Sequence, residues 1–147
     1  MAEILRNATA KWTGDLKSGG GAVSTESGLL RDVKVTWSSR FETNPGSNPE
    51  ELLAAAEAAC FSMALSSNLT KRNTPPQEIN TKATLTMRRD ESGTKLTRLH
   101  LVVEAKVPGV DAAAFKELAE NTKETCPVSV LLKPGLEALT VEAKLLV

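Results

Sequence analysis

Two cysteines, Cys60 and Cys126, are the strongest candidates for chemistry in this chain of 147 residues. Cys60 shares a helical stripe with Leu53, Ala56, Met63 and Ala64, so by itself it reads as a small buried hydrophobe. Cys126 has a different setting. Pro127 suits the first position of a new helical turn, which makes Cys126 its N-cap. The positive end of a helix stabilises a thiolate, so local reasoning makes Cys126 the better activated thiol, although an isolated Cys-Pro is more often structural. As a pair, one thiol inside a helix and one at a helix start can form a disulfide if their Cα atoms come within ~4.4–6.8 Å.

Composition narrows the alternatives. The chain carries 18 Lys+Arg against 18 Asp+Glu, which provides no electrostatic footprint for nucleic acid or for an acidic membrane face. A single histidine, His100, cannot build a His-rich zinc site, and any catalytic triad would have to use it. Two cysteines are too few for a disulfide scaffold or a four-thiolate zinc site. Residues 1–11 lack the apolar core of a signal peptide. The default compartment is therefore the cytoplasm, where two thiols are either inert or redox-active.

The elements that must position these residues follow an α+β order: three strands, a long helix, two strands, a shorter helix, a helical turn and a last strand. Residues 4–12 and 22–27 are strand candidates joined by the turn at Ser18-Gly19-Gly20-Gly21. Val33, Val35 and Trp37 alternate with polar residues as a third strand. Ile79, Thr81, Ala83, Leu85 and Met87 share one face of a fourth, and Glu91-Ser92-Gly93-Thr94 turns it into a fifth bearing Leu99, Leu101 and Val103. Leu139, Val141 and Leu145 mark the last strand. Antiparallel meanders are expected throughout.

The long helix has the clearest signals. Asn48 is its N-cap, Pro49 its first residue, and Glu51 completes a capping arrangement. Lys71-Arg72-Asn73 and Pro75-Pro76 stop it after about 24 residues, a rod of roughly 36 Å. Between Leu52 and Leu69 it carries one charge, Glu57, and needs cover on nearly all sides. A single six-stranded sheet covers one side, and the alanine runs 54–56 and 58–59 would admit another helix closely. A second subunit is the expected cover; the monomeric alternative uses the helix 111–124, capped by Asp111, with Phe115, Leu118 and Ala119 on its inner face.

Other polar residues are unremarkable when read singly. Arg40 is a solvated charge, Glu50 a helix N-terminal carboxylate stabilising by about 0.3–1 kcal/mol, and His100 a polar strand residue. In combination they are recognisable. Ser38-Ser39-Arg40-Phe41-Glu42, Asn48-Pro49-Glu50-Glu51-Leu52-Leu53 running into Ala58-Ala59-Cys60-Phe61-Ser62-Met63-Ala64, and Cys126-Pro127-Val128-Ser129 resemble the OsmC/Ohr family of osmotically inducible and organic hydroperoxide resistance proteins. The likeness spans essentially the whole chain, residues 1–147, as a single OsmC-like domain. It implies an intertwined homodimer with antiparallel sheets around long central helices, a thiol peroxidase site at the subunit interface, and no metal or organic cofactor.

The resemblance assigns Cys60 as the peroxidatic and Cys126 as the resolving cysteine, and matches Arg40 and Glu50 to the family's arginine and glutamate. The Ohr branch carries its arginine in the first hairpin, where residues 11–26 here contain none, so the likeness is to the OsmC branch. Glu57 departs from the pattern, since relatives often carry His or Tyr there. The two lines of reasoning disagree on the activated thiol: the helix start favours Cys126, the resemblance Cys60. A mid-helix Cys60 needs a nearby cation, and Arg40, oriented by Glu50, is the natural one. Glu50 lies roughly 15 Å along the axis from Cys60, so it must act through Arg40.

The implied activity is reduction of organic hydroperoxides, with hydrogen peroxide as a further substrate, in oxidative and osmotic stress defence. The route runs through a Cys60 sulfenic acid, a Cys60–Cys126 disulfide and an external dithiol reductant. Leu53, Phe61 and Met63 suit an organic substrate. The rivals are a redox-sensing or binding protein whose disulfide switches a partner surface without turnover, and a structural dimer with inert cysteines. Neither nucleic acid nor membrane is an expected partner.

Overall fold

The structure, a computed structural model, describes residues 1–146. Its order is β1 (Ala8–Thr13), β2 (Gly20–Thr25), β3 (Val33–Val35), α1 (Trp37–Phe41), α2 (Pro49–Lys71), β4 (Glu78–Asp90), β5 (Gly93–Lys106), α3 (Ala112–Thr125), α4 (Pro127–Leu132), a 3-10 turn at Lys133–Gly135 and β6 (Ala138–Leu146). The strands form two three-stranded sheets, β1-β2-β3 and β4-β5-β6, rather than one sheet of six. The chain divides into two compact units, Met1–Leu52 and a second that begins at Leu53.

In the first unit, β2 pairs antiparallel with β1 and with β3. The β1–β2 loop is closed by Asp15, whose carboxylate accepts from the backbone N–H groups of Lys17 and Ser18 at 2.9 Å each. Gly19 is required there, because a Cβ would lie 2.3 Å from the Asp15 carbonyl oxygen. Gly20 and Gly21, read from sequence as turn residues, belong to β2. The expected third strand also ends early. Trp37 begins α1 instead, because Thr36 and Ser39 form a reciprocal capping box that turns the backbone into a helix.

In the second unit, β4 and β5 form a long antiparallel hairpin through Glu91-Ser92, with Gly93 at φ +117°. Leu99, Leu101, Val103 and Ala105 are buried along one face of β5, as their alternation requires. β6 runs parallel to β5, against the antiparallel expectation. The reason lies in the connection: α3, α4 and the 3-10 turn carry the chain back to the starting end of β5, as a parallel crossover must. Phe115, Leu118 and Ala119 of α3 join Phe61, Leu65 and Leu69 of α2 and the β5 residues in the core.

α2 is long and apolar enough to cross a membrane on length and composition alone. In the fold it is a core helix with a distinct inner face of Glu57, Phe61, Leu65 and Leu69. Polar bonds tie it to its neighbours among the described residues: Ser62 donates to Thr81 of β4 (2.8 Å), Asn68 to Thr122 of α3 (2.9 Å), and Glu57 accepts from Ser129 of α4. Packing against α3 does not cover the rod. Ala55, Ala56, Ala59, Met63 and Ser67 stay exposed, with Met63 at 74%.

Candidate active site

Arg40 and Glu50 meet within the first unit. Two caps arrange this. Thr36 accepts from the Ser39 N–H at the start of α1 (3.0 Å), and the buried Ser39 hydroxyl donates to the Ser47 carbonyl (2.9 Å), anchoring α1 to the segment that leads into α2. Asn48 then accepts from the Glu51 N–H at 2.8 Å, the predicted N-cap, which sets Glu50 in the first turn. Across this corner Arg40 Nη2 donates to Glu50 Oε1 at 2.8 Å, and Nε to Oε1 and Oε2 at 3.2 and 3.3 Å. This is a two-pronged hold that a lysine could not reproduce. Glu50 is buried, while the Arg40 side chain is 36% exposed, so the guanidinium is oriented without being sequestered.

Cys60 and Cys126 meet within the second unit. Their sulfurs are 3.4 Å apart and both thiols are free. A disulfide therefore needs the sulfurs to close to about 2.05 Å. Cys60 is half-buried, whereas Cys126 is fully buried in the core. That asymmetry suits Cys60 to meet a solute and Cys126 to meet only Cys60.

The helix start at Pro127 is present as predicted, with Cys126 at the N-cap and Pro127 in its first turn, but the Cys126 side chain makes no capping bond. The backbone N–H of Val128, in that first turn, interacts with the Cys60 sulfur and draws its pKa down. The benefit assigned from sequence to Cys126 thus reaches the other thiol, because α4 lies against the side of α2. It is outweighed within this chain: burial first, and then the Cys126 hydrogen bond, push the Cys60 thiol above its ordinary value.

Sequence reasoning passed over the partner of Glu57. This carboxyl is fully buried, accepts a hydrogen bond from the equally buried Ser129 hydroxyl, and has no partner for its second oxygen among the described residues. Burial drives its pKa up, opposed by the Ser129 bond. One ionisable residue in an otherwise apolar stretch was the available signal. Phe61, named as a substrate-facing residue, is fully buried in the core and cannot touch a substrate; Met63 is exposed. His100 is a strand residue whose Nδ1 lies 2.8 Å from Thr140 Oγ1. Among the described residues no group of three or more His, Cys, Asp and Glu could hold a metal ion.

Comparison with known proteins places these features in a family. The family model described as OsmC-like protein matches residues 42–140. The chain is 44% identical over 130 residues to peroxiredoxin OsmC of Escherichia coli strain K12, covering 88% of this chain and 91% of that protein. It is 32% identical over 110 residues to the organic hydroperoxide resistance protein OhrB of Bacillus subtilis strain 168, covering 74% and 79%. The crystal structure of OhrB of Bacillus subtilis superposes with a TM-score of 0.71 at 26% identity, covering 94% of this chain and 98% of that one.

Proposed function

We propose, because this chain belongs to the OsmC family and lies nearer its OsmC than its Ohr branch, that it is a thiol-dependent peroxidase acting on organic hydroperoxides. The single observation that carries the reading is the sulfur pair: a half-buried Cys60 with a fully buried Cys126 at 3.4 Å. In the first step the Cys60 thiolate attacks the distal oxygen of ROOH. The O–O bond breaks, the alcohol ROH leaves with a proton, and Cys60 becomes a sulfenic acid. Cys126 then attacks that sulfur, releasing water and leaving a Cys60–Cys126 disulfide. An external dithiol restores both thiols by exchange and is itself oxidised to a disulfide.

Arg40 supplies the cation that this scheme needs. A guanidinium held by Glu50 through two nitrogens can favour the Cys60 thiolate and stabilise charge developing on the peroxide oxygens. The whole chain, 1–147, works as one OsmC-like domain in a cytoplasmic homodimer. The exposed stripe of Ala55, Ala56, Ala59 and Met63 on α2 supports a second copy as its cover, since small side chains allow two helices to approach closely. Scattering mass in solution should be twice 15.7 kDa; an active species of single-chain mass would remove the dimer from the scheme.

A free-thiol count tests the activity itself. One equivalent of an organic hydroperoxide should consume both thiols, and excess dithiol should then sustain turnover. Thiol loss without turnover would identify a redox sensor, and no loss would identify two inert cysteines.

A further inference from the structure

Two side-chain hydrogen bonds among the described residues join α2 to the Cys126 segment, and the redox scheme uses only one of them. Cys60 meets Cys126; one turn earlier on α2, Glu57 meets Ser129, three residues beyond Cys126. The two pairs cross between the same elements in opposite chain directions, and so define a register of α4 on α2. Apolar side chains alone specify such a register weakly, because a contact of this kind can slide at little cost. A buried polar bond cannot slide, since any shift leaves both groups desolvated and unpaired. Glu57 and Ser129 are each fully buried, and Glu57 Oε2 has no partner among the described residues. Burial of that oxygen disfavours the ionised carboxyl and pushes its pKa up, with the Ser129 bond opposing.

We propose that Glu57, bonded to Ser129, is a positioning residue that holds the start of α4 on α2 so that Cys126 closes onto the oxidised Cys60. The inference rests on the thiol roles proposed above and adds the element that enforces them. The step it serves is internally balanced. Cys126 loses its thiol proton and its sulfur attacks the Cys60 sulfur. The S–O bond breaks, and the departing hydroxide takes up a proton to leave as water. The competing fate is attack by a second peroxide, giving sulfinic acid. Positioning is therefore read from the ratio of disulfide closure to first oxidation, which a loss of general stability does not alter selectively.

Three variants test this: Ser129→Ala, Glu57→Gln, and the double apolar replacement Glu57→Met with Ser129→Ala, which keeps the test open if a single variant does not fold. Rapid-quench intact-protein mass spectrometry follows the added oxygen and the disulfide separately. In Ser129→Ala the closure-to-oxidation ratio should fall by roughly tenfold, with more sulfinic acid at excess peroxide. Glu57→Gln, whose amide oxygen still accepts the Ser129 bond, should recover most of that ratio. The double variant should melt no lower than the native protein and still close slowly. A native ratio in Ser129→Ala or in the double variant overturns the proposal, as does a Glu57→Gln no better than Ser129→Ala. A separate control, Cys60→Ser, distinguishes the two levels: if it still consumes peroxide, the thiol roles themselves fail and this inference goes with them.

Discussion

Glu50 and Glu57 are two carboxylates on one helix, about two turns apart, and they do opposite things. Glu50 sits in the first turn, where the helix dipole and the Arg40 guanidinium both favour its negative charge. Glu57 sits on the inner face, with a serine hydroxyl as its hydrogen-bond donor and burial as the main influence on its proton. The first is a fixed anion that orients a cation. The second is a carboxyl whose charge burial disfavours, and it orients a backbone segment. Residue type is the same in both; the environment decides what each carboxyl does.

The contrast is tested most severely at the thiols. Cys60→Ser should leave peroxide unconsumed, while Cys126→Ser should take up one oxygen and then drift to sulfinic acid under excess peroxide. Intact-protein mass spectrometry after one equivalent separates these outcomes. The reverse pattern would assign the attack to Cys126, and the Val128 N–H would then be serving the resolving thiol.

A smaller effect is expected from the cation. Arg40→Lys keeps the charge but loses the two-pronged hold on Glu50, so peroxide reactivity should fall at least roughly tenfold, about 1.4 kcal/mol. The melting temperature should barely move, because a partly exposed pair contributes little stability. A native rate would return Arg40 to the surface charges and leave Glu50 with its dipole role alone.

Smaller again is the cap that sets Glu50 in place. Asn48→Ala removes the acceptor for the Glu51 N–H and should cost about 1 kcal/mol by denaturant unfolding. The smallest effect is a slope. The native state holds the Glu57 proton more tightly than the unfolded chain, whose carboxyl has its ordinary value of 4.5. This contribution to stability is complete below that value and is lost as the pH rises through the native-state pKa. Melting temperatures of the native protein should therefore decline with pH over that window relative to Glu57→Gln. Equal slopes in the native protein and Glu57→Gln would remove burial as the influence on this proton.

Much of this molecule was readable along the chain. Asn48, Pro49 and Asp111 announced two helix starts, the alternation of Leu99, Leu101 and Val103 announced β5, and the three motifs around Arg40, Glu50, Cys60 and Cys126 announced the family. Each of these signals is local: a cap, a period or a run of residue types is written within a few positions. The short helix at Trp37 was also locally encoded, in Thr36 and Ser39, but the preceding alternation of Val33 and Val35 masked it. Tertiary structure alone decided the rest. The direction of β6 depended on the length of the crossover rather than on the strand. The N–H at the start of α4 went to Cys60 because packing, not sequence distance, determines which sulfur lies in front of it. Glu57 found Ser129 across 72 positions, and the upward push on its pKa followed from desolvation, a property of the assembled core that no residue carries by itself.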